Sequence, residues 1–201
     1  MKIKVLKFGG SSVSSVDVIK KSGSIIKNWS KKYKLIVVLS AMYGETDKII
    51  NLCKSISKNI NLREYDLAVS TGETLSCSLM SIYLNSVKVK SKSIMGWQIP
   101  IKTSSDHSKA RILSINNERI FDELKNFDVL VIPGFQGIDK NFNLTTLGRG
   151  GSDTSAVAIA ASINSECIIY TDVEGVYTTD PNMVNEAKKI SKISYEEMLE
   201  L

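Results

Sequence analysis

The sequence is poor in the residues that build metal sites and disulfide frameworks. It has one histidine, His107, and three cysteines, Cys53, Cys77 and Cys167. An odd number of widely spaced cysteines fits neither a disulfide framework nor a zinc site, so we expect reduced thiols in the core. No second histidine or cysteine lies near His107, which is therefore predicted to be an exposed loop residue and not a metal ligand.

The sequence also lacks any apolar run close to the roughly 20 residues needed to cross a bilayer. Its first residues, Met-Lys-Ile-Lys-Val-Leu-Lys, alternate like a strand and do not form the apolar core of a signal peptide. Hydrophobic residues make up 43% of the chain and charged residues 23%, which is typical of a globular domain and excludes disorder as the default. We expect a cytoplasmic protein without a membrane partner.

The net charge of +5 arises from lysines spread along the chain, with clusters at 31–34 and 88–92. The second cluster alternates with Val87 and Val89, so it predicts the solvated side of a strand. It carries no aromatic residues between its charges, as a stacking platform for bases would require. We therefore expect no nucleic-acid partner.

Short β-branched apolar runs, each followed by a loop of small or polar residues, recur along the chain. They span 3–8, 35–39, 129–132 and 167–170, and the first two precede segments of helical periodicity. This pattern predicts an α/β fold, a three-layer αβα sandwich with a mostly parallel central sheet. Ligands bind at the carboxyl ends of the strands in such sheets, where all four loops would lie. We expect one domain over 1–201, incomplete at its carboxyl end because the helix predicted from Ser194 has no stop signal.

Residues 145–156 form a glycine-rich loop that opens a helix. The first turn of a helix presents unpaired N–H groups and a partial positive charge, and glycines let an anion approach closely. Arg149 adds a planar fork suited to a carboxylate or phosphate, and Ser152 and Asp153 lie where the helix cap is expected. The segment predicts an anion site; alternatively, it is a solvated loop in which Asp153 is an ordinary N-cap.

Two further positions carry candidate chemistry. In the segment 7–12, Lys-Phe-Gly-Gly-Ser-Ser, the lysine ends the first strand, so its ammonium and the glycine N–H groups could converge on phosphate oxygens. The spacing is not that of a P-loop, and a tight turn with a surface lysine is the alternative. Glu73 follows Gly72, where one helical pattern breaks and another begins. Its carboxylate either interacts only with the helix dipole or holds a substrate ammonium group.

Six blocks, taken together and in this order, resemble the aspartokinase family over the whole chain. Single blocks are shared with the wider amino acid kinase superfamily, but 149–153 combined with 170–181 is specific to aspartokinases. The blocks are 7–13, 40–46, 72–76, 134–137, 145–156 and 170–181.

The resemblance implies the amino acid kinase fold and transfer of the ATP γ-phosphoryl group to the side-chain carboxylate of L-aspartate. The product, 4-phospho-L-aspartate, begins lysine, threonine and methionine biosynthesis. ATP and Mg²⁺ are the implied cofactors, with Mg²⁺ held mainly by the phosphates and by no direct protein ligand. The family's habit implies a homodimer or pairing with a regulatory subunit.

The resemblance also assigns roles to individual residues. The catalytic residues would be Lys7 and Asp153. The nucleotide-binding residues would be Lys7, Phe8, Gly9, Gly10, Ser40, Thr171, Asp172 and Tyr177. The aspartate-binding residues would be Thr46, Glu73, Arg149, Gly150, Gly151 and Ser152.

The chain departs from the family pattern in three respects. Ser11 replaces a usual threonine, and Asn182 replaces an arginine that contacts ATP, a change that bears on nucleotide affinity. Family members continue beyond the equivalent of Leu201 into the last kinase strands and regulatory ACT domains. Two alternatives therefore stand beside the kinase: a catalytically weak chain that acts as a binding or assembly subunit, and a related amino acid kinase acting on a substrate such as acetylglutamate.

Overall fold

The structure is a computed structural model that describes residues 2–148, 150–171, 175, 178–179, 184, 186–188 and 190. Within these residues the chain forms nine strands, six α-helices and one 3-10 turn. The strands are β1 (Ile3–Phe8), β2 (Lys34–Leu39), β3 (Ser91–Ser93), β4 (Ile101–Thr103), β5 (Ile112–Ile115), β6 (Val129–Pro133), β7 (Gln136–Ile138), β8 (Leu144–Thr146) and β9 (Cys167–Tyr170). The helices are a 3-10 turn (Gly10–Val13), α1 (Val16–Ser30), α2 (Glu45–Ile56), α3 (Leu62–Val69), α4 (Thr71–Ser86), α5 (Asn117–Asn126) and α6 (Gly151–Ser162).

The central sheet has the strand order β3-β6-β2-β1-β9, and every neighbouring pair within it is parallel. Its inner strands are apolar on both faces, as expected for a parallel sheet covered on both sides. Alternate residues of β1 belong to opposite faces: Leu6 and Phe8 pack toward α1 and α4, whereas Val5 packs toward α5 and α6. The predicted three-layer αβα sandwich with a mostly parallel central sheet is confirmed.

A second, mixed sheet was not predicted. It has the order β5-β4-β7-β8, in which β4 and β7 are parallel and the outer pairs are antiparallel. Its strands have three or four residues each, too few to show a clear alternation in sequence. They form because residues distant in sequence pair with one another.

Some local predictions require correction. The strand expected across the lysine cluster 88–92 is largely a turn after α4, with Lys88 at φ +67°, and β3 begins only at Ser91. His107 is not exposed, since 18% of its side chain is accessible and its ring contacts Asp66. The three cysteines are free thiols, but only Cys77 is fully buried.

No helix within the described residues is long and apolar enough to span a membrane. The helix predicted from Ser194 lies outside the described residues.

Candidate active site

The carboxyl ends of the parallel strands meet at one edge of the central sheet. There a cleft of about 360 Å³ is lined by the loops after β1, β2 and β6, by the segment after β8 and by the first turns of α4 and α6. Segments from five parts of the chain contribute to its walls. The lining residues are Lys7, Gly10, Ser40, Ala41, Met42, Tyr43, Gly44, Thr46, Asp47, Glu73, Phe135, Gly148, Gly150, Gly151, Ser152 and Asp153. Nine of the residues predicted from sequence are therefore brought together here.

Lys7 is a buried cation and not a surface lysine. The alternation of β1 puts its side chain on the same face as Val5, beneath α6, with Val38 and Ile169 beside it in the sheet. Only 6% of the residue is exposed, and its Nζ lies 2.7 Å from Asp153 Oδ1. A buried charge requires a partner, and this ion pair supplies it. The alternative of a solvated lysine in a tight turn is wrong.

Asp153 lies in the first turn of α6 and is not its N-cap. The N-cap is Gly150, which adopts φ +74° and offers no side chain, so the Asp153 carboxylate is free to turn toward Lys7. Apart from the ion pair, Asp153 Oδ1 has no hydrogen-bond partner among the described residues. The start of α6 thus presents both a carboxylate and the helix amino end to the cleft.

The start of α6 is packed tightly against the loop after β6. A Cβ atom on Gly134 would lie 2.7 Å from Cα of Ser152, which is closer than real Cβ contacts. Phe135 adopts φ +68°, and its N–H donates to the Ser155 hydroxyl at 3.0 Å. A bulky residue held in the left-handed region is strained, and such strain concentrates at functional sites.

Glu73 is a buried carboxylate on the wall opposite α6. It belongs to the first turn of α4, is 3% exposed, and accepts a 3.3 Å hydrogen bond at Oε1 from the Ala41 N–H. Its Oε2 has no partner among the described residues. Burial raises the pKa of Glu73 to about 7, partly offset by its backbone hydrogen bonds. An unpartnered buried carboxylate oxygen facing a cleft suits a cation such as an ammonium group.

The loop after β2 is clamped between α4 and the turn after β1. Gly72 allows α4 to approach it, since a Cβ there would lie 2.9 Å from that of Ala41. Gly72 does not break a helix as predicted; it lies in the first turn of α4. The Ser76 hydroxyl donates to the Ser40 carbonyl at 2.7 Å. Ser40 is thereby held in the cleft wall, to which Thr46 contributes from the first turn of α2.

The predicted nucleotide-binding residues are described in part. The Phe8 ring is 1% exposed and stacks on Tyr170 with ring centroids 4.5 Å apart, so its side chain belongs to the core. Gly9 adjoins the Lys7 ammonium, and Thr171 follows β9 at the same sheet edge. Three residues to which the resemblance assigned a role lie outside the described residues, namely Arg149, Asp172 and Tyr177, and so does Asn182, which replaces the usual arginine of the family.

Sequence reasoning assigned no role to seven residues that line the cleft, namely Ala41, Met42, Tyr43, Gly44, Asp47, Phe135 and Gly148. All except Asp47 lie inside blocks that carried the resemblance. Their position within loops after strands was the available signal, but the direction in which each side chain points depends on the packing of those loops.

The sequence profile described as the amino acid kinase family matches residues 2–201. The chain belongs to the amino acid kinase family. Among its relatives in that family, an aspartate kinase of Pseudomonas fluorescens is 49% identical over 205 residues, covering 100% of this chain and 50% of the relative. An aspartokinase of Rickettsia felis is 46% identical over 206 residues, covering 100% of this chain and 51% of the relative.

Solved structures of the family agree with these relationships. The crystal structure of E. coli aspartokinase III in complex with aspartate and ADP superposes with a TM-score of 0.80 at 25% identity, covering 94% of this chain and 53% of that chain. The crystal structure of aspartate kinase from Synechocystis superposes with a TM-score of 0.74 at 40% identity, covering 92% of this chain and 31% of that chain. The resemblance to aspartokinases is confirmed, and the chain spans about half the length of the curated relatives it matches.

Proposed function

We propose that this chain provides the catalytic site of an ATP-dependent aspartate kinase, which moves the γ-phosphoryl group of ATP to the side-chain carboxylate of L-aspartate. The observation that carries the proposal is the cleft itself, in which a buried ammonium group, Lys7, and an unpartnered buried carboxylate, Glu73, share one cavity. Curated relatives that are 44–49% identical over the full chain carry the names aspartate kinase and aspartokinase.

The proposed reaction suits a site without a general base. A carboxylic acid side chain with a pKa near 4 is already ionised at neutral pH, so the attacking oxygen has no proton to lose. The remaining task is to position two anions that repel each other and to stabilise charge on the phosphoryl group in transit. Lys7 would supply that charge, and Asp153, paired with it at 2.7 Å, would orient the ammonium group.

The substrate amino acid would bind between α4 and the glycine-rich loop. Glu73 would receive its ammonium group at the unpartnered Oε2, and Arg149 would pair with a carboxylate. The remaining contacts would come from Thr46, Gly150, Gly151 and Ser152.

The nucleotide would lie over the ends of β1 and β9. Gly9 and Gly10 would offer backbone N–H groups to its phosphates beside Lys7, with Ser40 near the transferred group. Phe8 would act through its backbone, because its ring is buried. Thr171, Asp172 and Tyr177 would contact the nucleoside.

The donor set of the cleft fits a magnesium ion that arrives with the nucleotide. No group of three or more His, Cys, Asp or Glu side chains within the described residues could hold a metal ion alone. Mg²⁺ usually keeps several waters and binds to substrate phosphates, so the nucleotide phosphates would hold it, and the Asp153 carboxylate in the cleft would help to orient it. When bound, the ion would neutralise phosphate charge. We further propose cytoplasmic action in lysine, threonine and methionine biosynthesis, in a homodimer or paired with a regulatory subunit.

The direct test is phosphoryl transfer from Mg-ATP to aspartate, with the acyl phosphate trapped by hydroxylamine as a hydroxamate. Glutamate and acetylglutamate, assayed in parallel, decide whether a related amino acid kinase is the better description. Absence of hydroxamate from a folded sample that binds Mg-ATP in calorimetry would contradict the proposal. In that case, co-elution with a longer aspartokinase on size exclusion would favour an assembly subunit.

A further inference from the structure

Asp66, on α3, is a fully buried carboxylate outside the cleft. Three donors from two other segments converge on it. The Thr146 hydroxyl donates to Oδ1 at 2.5 Å, His107 Nδ1 lies 2.7 Å from Oδ2, and the Ser108 N–H donates to both oxygens at 3.0 and 3.1 Å. Because a carboxylate only accepts hydrogen bonds, His107 donates through Nδ1. Burying a charge is costly unless it is well bonded, so this cluster fixes the three segments relative to one another.

One side of the cluster contacts the start of the glycine-rich loop, which in the structure connects β8 to α6. Thr146 ends β8, two residues before Gly148, and its carbonyl accepts from the Ala110 N–H at 2.8 Å. A Cβ atom on Gly148 would lie 3.3 Å from the Ser108 carbonyl oxygen, so the loop rests on the same segment that donates to Asp66. The point from which the loop departs toward Asp153 is therefore tied to the Asp66 carboxylate.

The other side of the cluster is connected to the opposite wall of the cleft. Asp66 lies one turn before Ser70, whose N–H donates to the Asp66 carbonyl at 3.2 Å. At Ser70 the chain passes from α3 into α4, which carries Glu73 in its first turn. The Gln136 side chain donates to the Ser70 carbonyl at 3.3 Å and ties this junction to β7. A single buried residue thus contacts the supports of both walls.

We propose that Asp66 is a positioning residue that sets the spacing between Glu73 and the glycine-rich loop, and thereby the affinity of the site for its amino acid substrate. This inference rests on the proposed function, in which the two walls hold opposite ends of one amino acid. Asp66 is not among the residues that line the cleft, so it acts through Thr146 and Ser70 and touches no reactant. The nucleotide, which would bind over β1 and β9, does not depend on this spacing.

The test compares the steady-state constants of three variants. Asp66→Ala removes the hydrogen-bond acceptor. Thr146→Val removes the closest donor but nearly keeps the shape of the side chain, so it tests the proposal even if Asp66→Ala does not fold. Both should raise KM for aspartate by about tenfold while KM for ATP changes less than about twofold, since small displacements of binding groups weaken only the ligand they hold. Thr146→Ser, which keeps the hydroxyl, should have the wild-type KM for aspartate.

Asp139→Ala is the matched control. Asp139 is also buried and accepts hydrogen bonds from Asn141 and Asn143, but it holds the β7–β8 turn. This variant should leave the ratio of the two KM values unchanged. A purely structural role for Asp66 would lower the amount of active protein and leave both KM values as they were, and that outcome would overturn the proposal.

Amide hydrogen exchange separates this inference from the proposed function. In Thr146→Val, peptides covering 147–155 should exchange faster than in the wild type, whereas peptides covering the β7–β8 turn should not. If the wild-type protein transfers no phosphoryl group to aspartate, the proposed function fails, and exchange still decides whether Asp66 holds the loop. Unchanged protection of 147–155 would refute the positioning role.

Discussion

Lys7 and Asp153 form an ion pair in which the lysine is the more deeply buried partner, with 8% of its side chain exposed against 32% for the aspartate. The ammonium group therefore cannot turn away into solvent, whereas the carboxylate has an accessible side toward the cleft. An anion that enters the cleft meets a cation already held in place. Such preorganisation is what stabilises developing charge without reorganisation at the moment of reaction.

The Lys7 ammonium should be indispensable for phosphoryl transfer. Lys7→Met keeps the apolar stem under α6 but removes the charge, and we expect kcat to fall by about 10²- to 10³-fold. Lys4→Met is the matched control, because Lys4 lies on the same strand but pairs with Glu166 at its other end. That variant should retain wild-type kcat in the hydroxamate assay. Retention of more than about a tenth of the activity by Lys7→Met would contradict the assigned role.

The central sheet was predictable because its signals are local. β1, β2, β6 and β9 are each marked by a compact apolar run that ends in a loop of small residues, and these runs match the observed strands to within one residue. The second sheet has no comparable signal, since its strands are three or four residues long and are stabilised by pairing with distant segments.

The residues that form the site were predictable from the sequence, but their burial and their partners were not. The glycine-rich loop and the lysine turn were evident from sequence. The burial of Lys7, however, depends on α6 crossing above β1, and this packing between distant elements has no local sequence signal. His107 shows the same limit. Its polar neighbours indicate an exposed loop, but its partner Asp66 lies 41 residues away in the chain. A buried network assembled from distant residues leaves no local pattern to read.

Gly134 should tolerate no side chain. A Cβ there would meet the backbone of Ser152 at 2.7 Å, so Gly134→Ala must displace the start of α6. We expect a loss of about 1 to 3 kcal/mol in the free energy of unfolding, measured by urea denaturation. Gly9→Ala is the comparison, because its new Cβ would lie at an ordinary 3.6 Å from the Lys7 ammonium and Gly9 has φ −73°. It should change stability by less than about 0.5 kcal/mol, and equal losses in the two variants would exclude a steric cause.

Glu73 should make folding stability depend on pH. Burial raises its pKa from 4.5 to about 7, so between these values the folded state holds a proton that the unfolded state releases. The stability contributed by the protonated side chain is complete below pH 4.5 and is lost as the pH rises to about 7. Glu73→Gln should escape this loss and gain on the order of 3 kcal/mol relative to the wild type across the window. Urea denaturation between pH 4.5 and about 7 measures this difference in the free energy of unfolding. Glu118→Gln is the control for removing one surface charge. If the free energy of unfolding changes with pH equally in the wild type and in Glu73→Gln, the prediction is wrong.

The same titration should control aspartate affinity. Only the ionised Glu73 carboxylate can pair with a substrate ammonium group, so below about pH 7 binding must first expel the proton that burial retains. The dissociation constant for aspartate, measured by calorimetry without nucleotide, should therefore rise by about tenfold for each pH unit below this value. Titrations in buffers of different ionisation enthalpy should detect the released proton directly. Glu73→Gln should bind weakly with no such slope, because its amide has no proton to release and no charge to offer. An identical slope in this variant would mean that another group titrates, and Glu73 would then not be the ammonium-binding residue.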